Sequence, residues 1–213
     1  LHLSIRRQRQ MCIRDRKLVE AGQSASTSSY LQTYSIIGVE DPKIKENLKE
    51  VSGQPYVLEN GYLFVFVLDY YRHKLVDEKA ESNMEISYGS AEGLLVGTID
   101  VALVAQNMAV VAEDMGYGIV YLGSLRNDVA RVREILDLPE YTFPLFGMAV
   151  GVPADEENGS PKPRLPLEHV FHKNYYDASN DQQRRELEKY DTVVSDYYTE
   201  RTNGERSETW SRQ

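Results

Sequence analysis

Residues Ser87–Met115, SYGSAEGLLVGTIDVALVAQNMAVVAEDM, form the longest apolar stretch of the chain. Their length and composition predict one long helix that is apolar on nearly every side and that ends at Gly116. The charged and amide residues within it are Glu92, Asp100, Gln106, Asn107, Glu113 and Asp114. We therefore expect a helix at the centre of the fold rather than a membrane span, with small residues that allow another backbone to approach closely.

Shorter elements surround this helix. Strands are predicted at Tyr34–Val39, Tyr62–Leu68, Gly118–Leu122 and Pro144–Val150. Helices are predicted at Ile13–Ala21 closed by Gly22, from Asp41-Pro42 to about Val51, at Val129–Leu136 capped by Asn127 or Asp128, and around Leu187, Tyr190, Val194 and Tyr197. Arg72–Asn83 is read as a polar segment without an element, and Arg201–Gln213 as a fraying tail. With no GxGxxG after a strand and no P-loop, the predicted fold class is α+β.

The bulk composition is that of an ordinary globular protein. The chain has 213 residues, 41% hydrophobic and 27% charged, which predicts a single domain over residues 1–213. Its net charge of −9 disfavours nucleic acid and anionic membranes as partners, although residues 1–17 form a basic arm. The single cysteine, Cys12, fits a reducing compartment, and no signal peptide is visible. We expect a cytoplasmic protein.

A hydroxyl-rich segment follows the first predicted helix. This hydroxyl loop, Gln23–Gln32, reads QSASTSSYLQ, and it is either a solvated connector or the lining of a polar ligand site. Four other polar clusters are His2-Ser4-Arg6-Arg7, Gly53-Gln54, Tyr121-Leu122-Gly123-Ser124 and Lys162-Pro163-Arg164. Two of them are basic, and an anion such as phosphate would bring them together. Taken singly, each basic cluster also fits a solvated turn or a disordered chain end.

Catalytic and metal motifs are missing from the sequence. It has no Gly-x-Ser-x-Gly elbow, and its histidines follow no metal-binding spacing. His169 and His172 are expected to be structural or solvated. Glu92 and Asp100 are interpreted as hydrogen-bonded core carboxylates rather than a catalytic pair. We expect no metal site.

The ordered series of polar motifs resembles one known family. HLSIR (2–6), ASTSSYLQ (25–32), SGQ (52–54), VYLGSLRN (120–127), KPRLP (162–166) and ETW (208–210) together look like a nitroreductase. The most similar branch is that of the oxygen-insensitive NADPH nitroreductases and NADPH–flavin oxidoreductases, over about residues 17–210. The resemblance implies an FMN-dependent fold with a central mixed or antiparallel sheet flanked by helices, completed by dimerisation. It also implies NADPH as reductant, FMN at the homodimer interface, and two-electron ping-pong reduction of small aromatic acceptors: nitroaromatics, quinones or flavins.

The resemblance assigns roles motif by motif. The FMN phosphate is assigned to His2, Ser4, Arg6, Lys162 and Arg164. The flavin and its ribityl chain are assigned to Ser26, Ser28, Ser29 and Gln32, and the pyrimidine edge to Gln54. The backbone of Tyr121, Leu122, Gly123 and Ser124 is expected to pass the isoalloxazine, and Tyr30 to stack on substrate. Arg201 and Arg206 match the basic residues expected at the NADPH 2′-phosphate.

Two single positions and both ends of the chain depart from the family pattern. Leu3 stands where the family usually has Arg, and Ser124 where Gly is common. MCIRDR (11–16) looks like translated sequencing adapter, so we expect residues 1–16 to be partly artefactual, which resequencing of the locus would test. Residues 201–213 are expected to be a truncated tail. The alternative functions are a flavin-binding but catalytically impaired fragment and, less favoured by the acidic body, a nucleic-acid module using the basic arm.

Overall fold

The computed structural model describes residues 15–81, 84–153 and 160–212. The chain divides into two compact units, Leu1–Pro153 and Ala154–Gln213. The single domain inferred from the sequence stays a prediction. The N-terminal motif with His2, Ser4 and Arg6, and the adapter-like segment up to residue 14, lie outside the described residues.

A four-stranded antiparallel sheet forms the middle of the first unit. Its strands are β1 (Tyr34–Val39), β2 (Tyr62–Asp69), β3 (Gly118–Leu122) and β4 (Thr142–Gly151), in the order β1-β2-β4-β3. Tyr34 of β1 pairs with Leu68 of β2, and Leu122 of β3 pairs with Gly147 of β4. Strands β1 and β3 coincide with their predictions, whereas β4 is longer than predicted. The predicted α+β class is confirmed.

Strand β2 is buried on both faces, as its continuous apolar run predicts. Phe64 and Phe66 face a core cluster that includes the long helix, and Val65 and Val67 face a second cluster on the other side of the sheet. The sheet is therefore covered by helices on both faces.

The described residues of the first unit form six α-helices. They are α1 (residues 15–23), α2 (Pro42–Ser52), α3 (Tyr71–Ala80), α4 (Glu85–Tyr88), α5 (Ala91–Asp114) and α6 (Val129–Ile135). Asp41 caps α2 by accepting hydrogen bonds from the backbone of Lys43 and Ile44, and Gly53 ends it in a left-handed conformation. Asp128 rather than Asn127 caps α6, because its carboxylate accepts from the Arg131 N–H at 2.9 Å.

Two predictions about the first unit are wrong. Gly22 does not close the first helix but lies inside α1, where an added Cβ would come within 2.8 Å of Met108 Cγ. It is there because α1 packs closely on α5. The polar segment Arg72–Asn83 overlaps helix α3. Asp77 is the buried residue of this helix, so the helix needs no apolar stripe, and its sequence therefore shows no helical pattern of apolar residues.

Helix α5 begins at Ala91 instead of Ser87, because Ser90 caps it through a hydrogen bond from the Gly93 N–H. Its buried face packs in the core, and Gly97 allows contact with Leu68 of β2. The opposite face is apolar but exposed, with Leu95, Ile99, Leu103 and Val110 each between 44% and 58% accessible. Among the described helices only α5 has the length and composition to cross a membrane, and its buried face belongs to the predicted core.

Glu92 is exposed, so its predicted core position is wrong.

The described part of the second unit begins with a segment without regular secondary structure, 160–166, and contains α7 (Leu167–Val170) and α8 (Asn180–Arg201). Tyr190 and Val194 are the buried residues of α8, as the predicted spacing indicates. The tail does not fray. The backbone N–H of Ser211 donates to Asp191 Oδ1 at 2.9 Å, and the Trp210 ring contacts the Tyr190 ring at a centroid distance of 6.0 Å.

Candidate functional site

The hydroxyl loop is held from inside the protein by Asp100 of α5. This fully buried carboxylate accepts hydrogen bonds from the Ser28 N–H at 2.8 Å, the Thr33 N–H at 3.3 Å and the Thr33 hydroxyl at 3.0 Å. One carboxylate therefore fixes both ends of the segment 28–33. The expectation that Asp100 is a hydrogen-bonded core carboxylate is confirmed, but its role in shaping the loop was not foreseen.

The side chains assigned to the ligand by sequence point away from the core. The assigned residues of the loop are all exposed: Ser26, Ser28, Ser29, Tyr30 and Gln32. Tyr30 is 83% accessible, and the backbone of Ser29, Tyr30 and Gln32 has positive φ angles of 48°, 59° and 54°. Side-chain-bearing residues rarely adopt this region, and clusters of such residues occur at ligand-binding segments. The loop presents short hydroxyls and one amide on a fixed backbone.

Helix α3 supplies two residues to this region that sequence reasoning missed. Arg72 donates to the carbonyl oxygens of Gln32 and Tyr34, and His73 Nε2 lies 3.0 Å from the carbonyl oxygen of Leu31. Their segment had no predicted element, and nothing in its pattern linked it to the loop. A pocket of about 580 Å³ lies beside these residues, between α1, the end of the loop, β1 and α3.

A second cluster forms where α2 meets the segment after β3. The Ser52 and Ser124 hydroxyl oxygens lie 2.6 Å apart, so the SGQ motif and the Tyr121–Ser124 motif are neighbours. Gln54 is exposed next to Gly53, and Leu122 is buried at 2% accessibility in the core below. Where the resembled family commonly has Gly, the hydroxyl of Ser124 therefore bonds to the buried Ser52.

The serine pair gives a first test. We expect Ser52→Ala to lower the free energy of unfolding by about 1 kcal/mol, the usual net value of one hydrogen bond. Chemical denaturation should detect the loss, and Ser26→Ala, at an exposed loop position, serves as the control. Equal stability of the two variants would show that the serine contact contributes nothing.

An apolar groove lies beside this second cluster and is called the β3 groove. It has a volume of about 370 Å³ and is lined by Ala102, Ala105, Gln106, Tyr121, Gly123, Arg126 and Phe146. The Tyr121 ring meets the Phe146 ring edge-on at 5.6 Å. Burial, and secondarily the negative charge of Glu113, raises the pKa of the Tyr121 phenol. Gly123 and Arg126 line the groove together, and a Cβ added at Gly123 would lie 3.2 Å from Arg126 Nη2, so a larger residue there would displace the guanidinium.

The two clusters lie at opposite edges of the described sheet. The hydroxyl loop leads into β1, one edge strand, and Gly123 follows β3, the other. Three strand spacings, about 14 Å, separate the two edges. The structure thus joins SGQ to the Tyr121–Ser124 motif within one chain, and it joins neither of them to the hydroxyl loop.

The basic residues of the second unit sit on an exposed segment. Lys162 and Arg164 are both exposed, and the Tyr190 hydroxyl donates to the carbonyl of Pro163 at 3.1 Å, which ties the segment to α8. Neither cation forms an ion pair with a described residue. Both charges are free to meet an anion.

The two arginines assigned to NADPH differ in their surroundings. Arg201 ends α8 and donates to the hydroxyl of Tyr197 at 2.5 Å. Arg206 pairs with the carboxylate of Glu208 and lies over the Tyr198 ring at 4.7 Å from its centroid. Arg201 is therefore the arginine without a competing carboxylate.

The histidine pair at 169 and 172 has structural contacts. His169 Nε2 lies 3.0 Å from Glu186 Oε2, without the angle of a hydrogen bond, and its side chain is 7% exposed. His172 Nδ1 accepts from the Asp177 N–H at 3.3 Å. Within residues 15–81, 84–153 and 160–212, no group of His, Cys, Asp and Glu side chains could hold a metal ion.

Comparison with known proteins identifies the family of the chain. The nitroreductase family model matches residues 16–152, and that of the nitroreductase family C-terminal domain matches residues 162–213. An NADPH-dependent oxidoreductase of Staphylococcus epidermidis is 85% identical over 197 residues, 92% of this chain and 78% of that protein. One of Staphylococcus aureus is 72% identical over 198 residues, 93% of this chain and 79% of that protein.

Solved structures give the same result. NfrA1 of Bacillus megaterium superposes with a TM-score of 0.90 at 45% identity, covering 94% of this chain and 81% of that one. The NADPH:FMN oxidoreductase of Vibrio harveyi, complexed with NAD+, superposes with a TM-score of 0.80 at 36% identity, covering 93% and 78%. The fold and the matched motifs define an oxidoreductase. The chain belongs to the nitroreductase family.

Proposed function

We propose that this oxidoreductase is a homodimer that binds FMN at its interface, takes electrons from NADPH and reduces small aromatic acceptors such as nitroaromatics, quinones or flavins. The observation that carries the proposal is the outward-facing hydroxyl loop, fixed by Asp100, together with the β3 groove at the opposite sheet edge. Relatives named NADPH-dependent oxidoreductases and an NADPH:FMN oxidoreductase of the same fold support it. We also propose a cytoplasmic location, from the single cysteine and the NADPH dependence.

The residues present fit FMN. The β3 groove is apolar and lined by Tyr121 and Phe146, which suits a flat aromatic ring, and Gly123 lets the backbone approach it. Ser26, Ser28, Ser29 and Gln32 offer donors for polar edges and hydroxyls, and Gln54 offers an amide. Lys162 and Arg164, without acidic partners in the described chain, would neutralise the phosphate.

FMN, when bound, supplies the two-electron hydride chemistry, so the protein needs no acid–base residue of its own. The chain's residues then bind, orient and exclude water. Tyr30, 83% accessible, would stack on the aromatic acceptor at the mouth of the site.

The separation of the two clusters supports a site shared by two chains. In an antiparallel pair of α5 helices crossing near Leu103, residue 100 of one copy lies close to residue 106 of the other. The hydroxyl loop is fixed at Asp100 and the β3 groove is lined by Gln106, so this pairing would bring the loop of one copy to the groove of the other. It would also bury the exposed apolar face of α5.

Colour tests the proposal directly. The purified protein should show flavin absorbance, alone or after FMN is added, and NADPH should bleach it under anaerobic conditions. A flavin that binds but is not reduced would favour the impaired-fragment alternative. A colourless protein that binds no FMN when FMN is added in excess would overturn both.

The NADPH assignment rests on Arg201. Because a charge-assisted hydrogen bond contributes about 1.5 to 3 kcal/mol, Arg201→Ala should lower kcat/KM for NADPH by roughly ten- to a hundredfold and leave NADH nearly unchanged. Arg206→Ala is the matched control and should have a smaller effect, since Glu208 already pairs with Arg206. Equal losses of kcat/KM with NADPH and NADH would show that Arg201 does not bind the 2′-phosphate.

A further inference from the structure

The carbonyl groups at the end of the hydroxyl loop converge on the start of helix α3. Arg72 Nη2 donates to the carbonyl oxygen of Gln32 at 3.2 Å and to that of Tyr34 at 2.6 Å. His73 Nε2 lies 3.0 Å from the carbonyl oxygen of Leu31. The Leu31 and Gln32 carbonyls belong to the two peptide groups that flank the Gln32 Cα. Because peptide groups are planar, fixing both oxygens fixes the backbone angles of Gln32.

Arg72 is itself fixed by its neighbours. Its Nη1 donates to Asp69 Oδ2 at 2.9 Å and to the Ser35 hydroxyl at 3.0 Å. The other oxygen of Asp69 accepts from the Tyr71 N–H at 2.9 Å, at the first residue of α3. One carboxylate, 9% exposed, thus sets both the start of the helix and the direction of the guanidinium.

The held backbone is strained. Gln32 has a φ of 54° and Tyr30 a φ of 59°, a region that costs energy for any residue with a Cβ. Such angles persist only where the surroundings impose them. Asp100 takes up N–H groups of the loop on one side, and α3 takes up its carbonyls on the other. Helix α5 thus supplies the acceptor for N–H groups of the loop, and helix α3 supplies the donors for its carbonyl oxygens.

We propose that Arg72 and His73 are positioning residues for the ligand site: they hold Gln32 in its left-handed conformation and so fix the direction in which Gln32 and Tyr30 face the flavin. The ligand in this statement rests on the proposed function above. The holding of the loop by α3 is independent of it.

The role of His73 is that of a donor. A carbonyl oxygen can only accept, so the proton of the neutral ring lies on Nε2. Its Nδ1 is buried and has no hydrogen-bond partner within the described part of the chain. A glutamine amide can donate to the same carbonyl, which makes His73→Gln a conservative replacement and His73→Leu a disruptive one.

Hydrogen exchange of the flavin-free protein tests the positioning role without any activity. Arg72→Lys keeps a cation beside Asp69 but cannot bridge two carbonyls as a guanidinium does. In Arg72→Lys and His73→Leu we expect amides of the segment 28–34 to exchange about tenfold faster, the effect of losing one hydrogen bond of roughly 1.4 kcal/mol. Amides of α5 and β2 should not change. His73→Gln should restore slow exchange, and Glu78→Gln, exposed on the same helix, is the matched control.

FMN titration gives the second readout. The dissociation constant for FMN should rise about tenfold in Arg72→Lys and His73→Leu, for the same loss of one hydrogen bond, and should stay at the wild-type value in the control. Unchanged loop exchange in both variants overturns the positioning role, whatever the flavin does. Faster exchange with unchanged FMN affinity overturns its link to the ligand. Wild-type protein that does not bind FMN overturns the proposed function instead. In that case the hydrogen-exchange result alone decides whether α3 fixes the conformation of the loop.

Discussion

Replacing Asp100 with alanine should lower the free energy of unfolding by about 4 kcal/mol and abolish flavin binding at micromolar FMN. The change removes the common acceptor of three donors, of which both Thr33 groups are buried. A buried donor without a partner costs about 1 to 3 kcal/mol, and this change leaves several donors of one coupled network without an acceptor. In a protein of this size the melting temperature should fall by roughly 10 °C. The hydroxyl loop would lose its fixed shape at the same time.

Two matched variants test whether the effect comes from the carboxylate of Asp100 in particular. Asp100→Asn keeps one acceptor oxygen but turns an amide donor towards the loop, so about half of the loss is expected. Glu92→Gln removes an exposed carboxylate from the same helix and should change stability by less than about 0.5 kcal/mol. Denaturant unfolding and flavin content measure both effects. Full flavin content in Asp100→Ala would contradict the assignment of the loop to the flavin site.

The second large effect is expected on the exposed face of α5. Leu103→Asp places a charge in the middle of the apolar strip formed by Leu95, Ile99, Leu103 and Val110. An unpaired charge buried in an interface costs several kcal/mol, so the variant should be a monomer at micromolar concentration. Its flavin content should fall to near zero, because each proposed site needs two chains. The monomer itself should remain folded, since Leu103 is 44% exposed within one chain.

Leu75→Asp is the control for this experiment. Leu75 is 47% exposed on α3, a different helix, and its variant should stay dimeric and yellow. Light scattering after size exclusion gives the mass, and the absorbance spectrum gives the flavin. A dimeric, flavin-loaded Leu103→Asp protein would place the interface elsewhere.

The sequence predicts those parts of the fold that local rules determine. Strand β1 and strand β3 coincide with their apolar runs, and α2 begins and ends at the residues that cap it, Asp41 and Gly53. The hydroxyl loop was also recognised, because its composition is a local property. The sequence did not predict that the loop and the β3 groove lie at opposite edges of the sheet, because strand order is set by tertiary packing.

Helix α3 shows where local rules fail. Its hydrophobic pattern is weak, so nothing in Arg72–Asn83 predicts a helix, yet Arg72 and His73 hold the loop from forty residues away. Gly22 shows the converse case. A glycine after an apolar helix usually ends it, but here close packing against Met108 requires the missing side chain. Long-range contacts of this kind have no signature in one sequence.

A heterodimer tests the two-chain site most directly. One chain carries Ser26→Asp with Ser28→Asp, exposed charges on the hydroxyl loop, and the other carries Gly123→Val, which adds a side chain to the lining of the β3 groove. Each variant alone should form a dimer without flavin. Co-expressed with different tags and purified as a heterodimer, the pair should bind about half of the wild-type flavin, because one site then carries both changes and the other carries neither. A heterodimer as empty as either parent would mean that each flavin site is built from a single chain, and would contradict the account.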